Sequence, residues 1–162
     1  MGRSGAVNAG AQHPRVTLRP VRPDDVALLF QWRNDHDAVR FSVSGRAVTL
    51  DEHEAWLARR LRDPATRLWI AEEDGVAVGQ VRLDVDDDTG TVSIAVAAGQ
   101  RGRGVGSAIL QAMQAGVLST GAVTRLRALV HPDNSVSLRA FTRAGFRRMA
   151  SADAGFLVFE WP

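Results

Sequence analysis

The chain of 162 residues contains no cysteine, no tyrosine and no lysine. Without cysteine there is no disulfide framework, no thiolate metal site and no thiol nucleophile. Without tyrosine there is no phenol to serve as an acid. Without lysine the Walker phosphate loop, which needs Gly-Lys-Ser/Thr, is excluded. Long apolar runs are missing as well, so no segment is suited to span a membrane, and the first fourteen residues hold no apolar stretch of the kind a secretion leader needs. A cytoplasmic protein is the expectation. An isoelectric point near 10.7 would suggest a nucleic-acid partner, yet the net charge is only +2. All twenty basic residues are arginine, which hardly titrates, and they are interleaved with eighteen acids rather than gathered in a block. Neither nucleic acid nor membrane is expected as a partner. Asp86-Asp87-Asp88 lacks the ligand spacing of a calcium loop, and no metal is expected.

What the chain does have is a glycine–arginine loop between two patterned segments. Thr91 to Val96 alternates as a strand does, and Gln100-Arg101-Gly102-Arg103-Gly104-Val105-Gly106 follows. Beyond it Val105, Ile109, Met113 and Val117 recur at i+4 on one helical face. Glycines let the backbone turn sharply and approach a ligand, and the free N–H groups of a helix's first turn favour an anion. Arg101 and Arg103 add positive charge, so the unit reads as a pyrophosphate cradle. It is not a dinucleotide fingerprint, because Thr120-Gly121 stands where the acid about twenty residues on should be.

Thr124 to Val130 reads as a further strand, followed by a helix with an apolar stripe of Val136, Ala140 and Ala144. Asp133 or Asn134 can cap that helix, and Gly145 suits the left-handed position past its end. Arg101-x-x-Gly104-x-Gly106 resembles the coenzyme A loop of the GNAT N-acetyltransferase superfamily. Asn134-x-x-Ser137-x-x-x-Phe141-x-x-x-Gly145-Phe146 resembles that family's Asn-x-x-Ser-x-x-x-Tyr-x-x-x-Gly-Phe segment. The resemblance implies an α/β (α+β) fold, a mixed, mostly antiparallel sheet of six to seven strands with helices on both faces. It implies acetyl-CoA as cofactor, held by Ile94, Ala95 and Val96, by Arg101, Gly102, Arg103, Gly104, Val105, Gly106 and Ser107, and by Asn134, Ser137 and Phe141. It implies direct acetyl transfer from the thioester to an amine, with strand backbone groups assisting the thioester oxygen. One departure stands out: the family's tyrosine acid is Phe141 here. Water or the newly protonated amine must then supply the thiolate's proton, or the protein binds coenzyme A as a regulator without rapid turnover.

Residues 1–14 are expected to form a flexible arm and residues 15–162 a single domain. Val16 to Val21 opens as a strand, and Asp24 is placed to cap a helix with Val26, Leu29 and Phe30 inward. Thr49-Leu50-Asp51-Glu52 is a capping box, leading to His53, Leu57 and Leu61 on one face. Strands from Leu68 and over Val76 to Val85 flank an Asp74-Gly75 hairpin turn. Phe156 to Trp161 closes the sheet and is a candidate homodimer surface.

For the general base, His131 at a strand end, Ser93 through a held water, and Glu52 or Glu54 are the candidates. His131 reads equally well as a turn cap before Pro132, and Ser93 as a small packing residue. Trp32-Arg33-Asn34, His53, Trp56 and Arg82 are similar to elements of acetyltransferases that modify nucleotide-linked amino sugars, which implies a small polar amine acceptor of that kind. Protein N-termini of the ribosomal type and aminoglycosides are the alternatives within the same branch. Trp32 and Trp56 as core residues, and Arg33 as a surface charge, are the structural readings of the same pattern.

Overall fold

The computed structural model describes residues 13–161. The expected arm therefore lies, except for His13 and Pro14, outside the described residues. A seven-stranded sheet runs in the order β1-β2-β3-β4-β5-β7-β6. Its strands are β1 (Thr17–Pro20), β2 (Thr66–Glu73), β3 (Val76–Asp86), β4 (Thr89–Val96), β5 (Arg125–Val130), β6 (Arg147–Asp153) and β7 (Phe156–Trp161). The helices are α1 (Val26–Arg33), α2 (His36–Arg40), α3 (Leu50–Arg62), α4 (Val105–Leu118) and α5 (Ser135–Arg143). Every neighbouring pair of strands is antiparallel except β4–β5.

Strand alternation splits the core in two. Val81, Leu83, Val92, Leu126 and Ala128 join Val105, Ile109, Leu110, Met113 and Val117 of α4, and Ala140 and Phe141 of α5, on one face. The i+4 stripe of α4 is fully buried there, each such side chain contributing about 1.5–3 kcal/mol. On the other face Leu68 and Ile70 pack with Leu29, Trp32 and Leu57 of α1 and α3. The direct cross-strand partners Arg82↔Ser93, Gln80↔Ala95 and Asp84↔Thr91 share that second face.

β4 and β5 pair only through Thr89↔Arg125, Gly90↔Leu126 and Thr91↔Arg127. Asp88 pins this junction: its backbone carbonyl accepts the N–H groups of Thr124 and Arg125, and its carboxylate accepts the Thr124 hydroxyl at 2.7 Å. With Thr124, Arg125 and Thr89 all donating, its carboxyl is held down to about 2. Beyond Thr91 the two parallel strands part, and the sheet opens as a wedge.

Several expectations are corrected. The Asp24 carboxylate does not cap the first helix; a 3-10 turn over Pro23–Asp25 intervenes, and Asp25 takes the Arg22 N–H and a two-pronged Arg19 contact instead. Leu61 and Val136 are 39% and 44% exposed rather than inward. Arg147 and Arg148 lie in β6, an edge strand whose residues are all exposed and show no apolar alternation, so no periodicity announced it. Phe156–Trp161 is paired on both sides, with β5 and β6, so the edge of the sheet there is β6. Among the described residues no helix is long and apolar enough to cross a membrane.

Candidate active site

The wedge between β4 and β5 is bounded by the glycine loop at one end and the two helical layers on its faces. Gly102 and Gly104 take φ of +79° and +83°, the left-handed conformation the turn requires. Ala108 N–H makes the first helical bond of α4, to Gly104 O, so those of Val105, Gly106 and Ser107 precede it with no intrahelical acceptor. A Cβ on Gly106 would stand 3.2 Å from that of Ala140 and 3.6 Å from Ile94 Cδ1, so α4, α5 and β4 converge at this point. Ser107 Oγ is turned back to Gly104 O at 2.9 Å. Asn134 caps α5 through Ser137 N–H at 3.1 Å, and Gly145 has the left-handed φ of +89°. Ile94, Ala95 and Val96 pair with β3 on one side and lie past the last β4–β5 pair on the other.

The two arginines of the loop are engaged with acids. Arg101 reaches Asp35 at 2.6 Å and Asp37 at 3.2 Å, and its Nε donates to Val96 O at 3.1 Å. Arg103 pairs with Glu73 at 3.1 Å and also donates to Gln100.

Phe141 is 3% exposed, edge-on to Phe146 at 5.0 Å. At the family's acid position the chain thus presents only buried hydrocarbon. His131 follows β5 at the open end of the wedge, between Phe41 at 5.3 Å and Phe156 at 5.6 Å. Its Nδ1 accepts Asp133 N–H at 3.1 Å, so the neutral ring carries its hydrogen on Nε2. That tautomer donates through Nε2 and has no free lone pair with which to act as a base. Ser93 Oγ accepts from Arg82 at 3.3 Å and keeps its own hydrogen to give.

Two base candidates are removed. Glu52 completes the capping box and pairs with Arg46 at 3.0 Å; Arg46, then Thr49 N–H, hold its carboxyl down to about 2. Glu54 lies along an outer groove with Pro23, Val26 and Leu61, away from the sheet.

The acceptor series divides as well. Trp32 is a core residue, 7% exposed beside Leu29 and Leu57. Asn34 clasps the following loop, donating to Val48 O at 2.8 Å and accepting from Val48 N at 2.9 Å. Arg33, His53, Trp56 and Arg82 do gather on the second face. His53 stacks on Trp56 at 5.3 Å and tilts against Phe30 at 5.7 Å, while the Arg82 guanidinium lies 5.9 Å over Trp56. Arg82 Nε is 2.8 Å from Asp84, and Arg60 shares that carboxylate at 3.1 Å. Among the described residues Arg33 meets only Ser44 Oγ at 3.0 Å and Arg46 O at 3.2 Å, with no carboxylate partner. Among the same residues its Nη1 and His53 Nε2 are buried without a hydrogen-bond partner. Arg60 and Asp84, which fix Arg82, and Phe41, which backs His131, carry no local sequence signal; Asn34-Asp35-His36-Asp37, dense in capping residues, is the sign of α2.

Burial, and then the nearby Arg33 charge, push the His53 pKa below its ordinary value near 6.5. The sign follows: the unfolded chain takes up the proton first, so this stability is complete above about pH 6.5 and is lost as pH falls below it. The loss has an upper slope of about 1.4 kcal/mol per pH unit. Urea midpoints of the protein between pH 7.5 and 5 should fall more steeply than those of His53→Gln; parallel curves would mean His53 is hydrated and ordinary.

A left-handed glycine loop that opens a long apolar helix beside two parting parallel strands defines a coenzyme A-dependent acyl-transfer cleft. Residues 15–147 match the acetyltransferase (GNAT) domain family, and the chain belongs to it. Aminoglycoside N(6′)-acetyltransferase type 1 of Klebsiella pneumoniae is 24% identical over 152 residues, covering 84% of this chain and 76% of the relative. L-2,4-Diaminobutyric acid acetyltransferase of Nocardia farcinica is 33% identical over 115 residues, 68% of this chain and 58% of that protein. In fold, AAC(6′)-Ib solved with paromomycin and acetyl-CoA superposes with a TM-score of 0.78 at 23% identity, covering 90% of this chain and 91% of the other. The protein is an acetyl-CoA-dependent N-acetyltransferase.

Proposed function

We propose that the acceptor is a small polar amine that also carries an anionic group, foremost a nucleotide-linked amino sugar. The observation that carries this is Arg33, a partly buried cation with an unpartnered Nη1 and no carboxylate beside it, next to the Trp56–His53 stack. Aromatic faces suit a sugar ring, and a planar guanidinium suits phosphate or carboxylate. A polycationic acceptor finds little here: Asp84, the carboxylate beside Arg82, is already shared with Arg60, and Asp35 and Asp37 are taken by Arg101. A diamino acid is the second reading, because the 33%-identical relative is named for one and such a substrate brings its own carboxylate.

In this reading the phosphates of acetyl-CoA meet the first-turn amides of α4, and its thioester lies along Ile94 to Val96. The amine attacks the thioester carbonyl and the thiolate leaves. The proton shed by the attacking amine passes to the departing thiolate through water, His131 Nε2–H stabilises that thiolate as a hydrogen-bond donor in place of the missing tyrosine, and Ser93 hydrogen-bonds the water or the acceptor. Phe141 packs and takes no part in proton transfer.

Thiol release from acetyl-CoA tests it, using a UDP-linked 4-amino sugar, the free amino sugar, 2,4-diaminobutyrate, kanamycin and an N-terminal peptide. One charged contact predicts kcat/KM for an anionic acceptor roughly 10- to 150-fold above that for kanamycin. Kanamycin or the peptide turning over fastest would overturn the reading, and tight acetyl-CoA binding with no amine turned over would favour a regulatory domain.

A further inference from the structure

We propose that Arg101 is a positioning residue rather than a phosphate ligand: through Asp35 and Asp37 it locks α2, and Phe41 with it, against the acceptor side of the cleft. All three nitrogens of its guanidinium are in use, Nε on Val96 O, Nη1 on Asp37 and Nη2 on Asp35. The side chains of Arg101 and Asp35 are each 25% exposed, whereas that of Arg103 is 50% exposed. For a pyrophosphate to recruit Arg101, it would have to strip a sheltered carboxylate of its cation. Burial raises the Asp35 pKa, and the Arg101 contact together with the N–H groups of Ala38 and Asp37 outweighs it to leave the pKa lowered. Arg101 is thus part of what keeps this carboxylate charged where it is. Arg103 is held by fewer contacts: it has one carboxylate partner, Glu73, and Gln100, where Arg101 has two carboxylates and a backbone carbonyl, and its own side chain is half exposed although Glu73 is as sheltered as Asp35.

The position of this lock gives it consequence. Asp35 caps α2 through Asp37 N–H and Ala38 N–H, and α2 ends at Phe41, whose ring rests on His131. Just before it stand Asn34, clasped to Val48, and Arg33. One ion-pair cluster therefore joins the cofactor loop to the wall of the acceptor side across 66 residues of sequence. The phosphates are left to the amides of α4's first turn and to Arg103.

The test uses acetyl-CoA itself as probe, by calorimetry and hydrogen exchange on the intact protein, Arg101→Ala, Arg103→Ala and Asp35→Asn. Asparagine caps a helix as well as aspartate does, so the last variant removes the charge pair and keeps α2. The expected acetyl-CoA Kd is within about threefold of wild type for Arg101→Ala and Asp35→Asn, and about tenfold weaker for Arg103→Ala, as loss of one phosphate contact gives. Amides of residues 36–41 should exchange at least ~10-fold faster in the first two. With the UDP-linked 4-amino sugar, KM for the acceptor should rise while KM for acetyl-CoA stays put, a split that general destabilisation would not produce. Three results would overturn the proposal: a Kd weakened ~10-fold in Arg101→Ala, a Kd tightened in Asp35→Asn as a competing carboxylate is removed, or faster exchange over 36–41 when acetyl-CoA is added to wild type. Should the amino sugar not turn over, the acceptor assignment fails, and the calorimetric and exchange results still decide this one.

Discussion

Gly79→Ala is expected to cost about 2–3 kcal/mol of stability, roughly 4–12 °C of Tm, and to weaken acetyl-CoA binding at least ~10-fold. Gly79 lies in β3, opposite Val96 on β4 and Ala71 on β2. A Cβ built there falls 2.5 Å from Ala95 O, 2.9 Å from Ile109 Cδ1 and 3.3 Å from Val96 Cα. Two of these three are backbone atoms, which no rotamer change can move. Relief requires β4 to shift outward at Ala95 and Val96, the segment past the last β4–β5 pair where the cofactor arm is expected to lie, or α4 to lift at Ile109. Either displaces the wedge by the tenths of an ångström on which a near-attack geometry depends.

Gly90→Ala supplies the control. It is buried in the neighbouring strand, and its added Cβ also meets an atom at 2.5 Å, but that atom is the Leu83 Cδ1 methyl, with Leu126 Cδ2 at 3.3 Å. A leucine can turn aside, and loss of glycine's unfolded-state freedom returns about 0.4–1 kcal/mol. Thermal melts and acetyl-CoA calorimetry of the two variants together check the claim. Equal effects, or none at Gly79, would mean that the β3–β4 contact yields more easily than its backbone composition implies.

Local pattern carried the cofactor side of this molecule, and distance in sequence hid the acceptor side. Val105, Ile109, Met113 and Val117 are buried because an i+4 stripe has one way to meet a sheet, and Asn134 and Gly145 cap α5 because capping is settled within a few residues. The same local grammar marked the turn at Asp74-Gly75 and the box at Thr49–Glu52. Nothing local shows that Arg101 will find Asp35, or that Asp84 will serve both Arg60 and Arg82. Aromatic and amide side chains serve a core and a loop clasp as readily as a ligand, so composition alone does not assign Trp32 and Asn34 to one role. At His131 the sequence allows a base or a turn cap alike, and the cap at Nδ1 becomes visible only where Asp133 N–H meets the ring.

Arg33→Met should raise or preserve stability while lowering kcat/KM for an anionic acceptor by roughly 10- to 150-fold, with acetyl-CoA affinity unchanged. The two halves of this expectation come from one fact. Burial, and then the Arg46 charge, lower the Arg33 pKa, a sign that the cation is held in an unfavourable place. It remains charged at any working pH, because arginine does not release its proton there. Its Nη1 is a buried donor with no acceptor, a condition that costs about 1–3 kcal/mol. Methionine keeps the stem packed and removes that penalty, at the loss of the contacts Nη2 makes with the Ser44 hydroxyl and the Arg46 carbonyl. Residues that destabilise a fold yet sit in its binding face are where function outweighs stability. A phosphate or carboxylate of the acceptor would supply both the missing charge and the missing acceptor, so the variant should lose that substrate specifically. For kanamycin the sign reverses, since deleting a cation relieves repulsion and kcat/KM should hold or rise. Arg33→Met that melts lower and treats all amines alike would show Arg33 to be a structural charge, and the anionic acceptor would have to be given up.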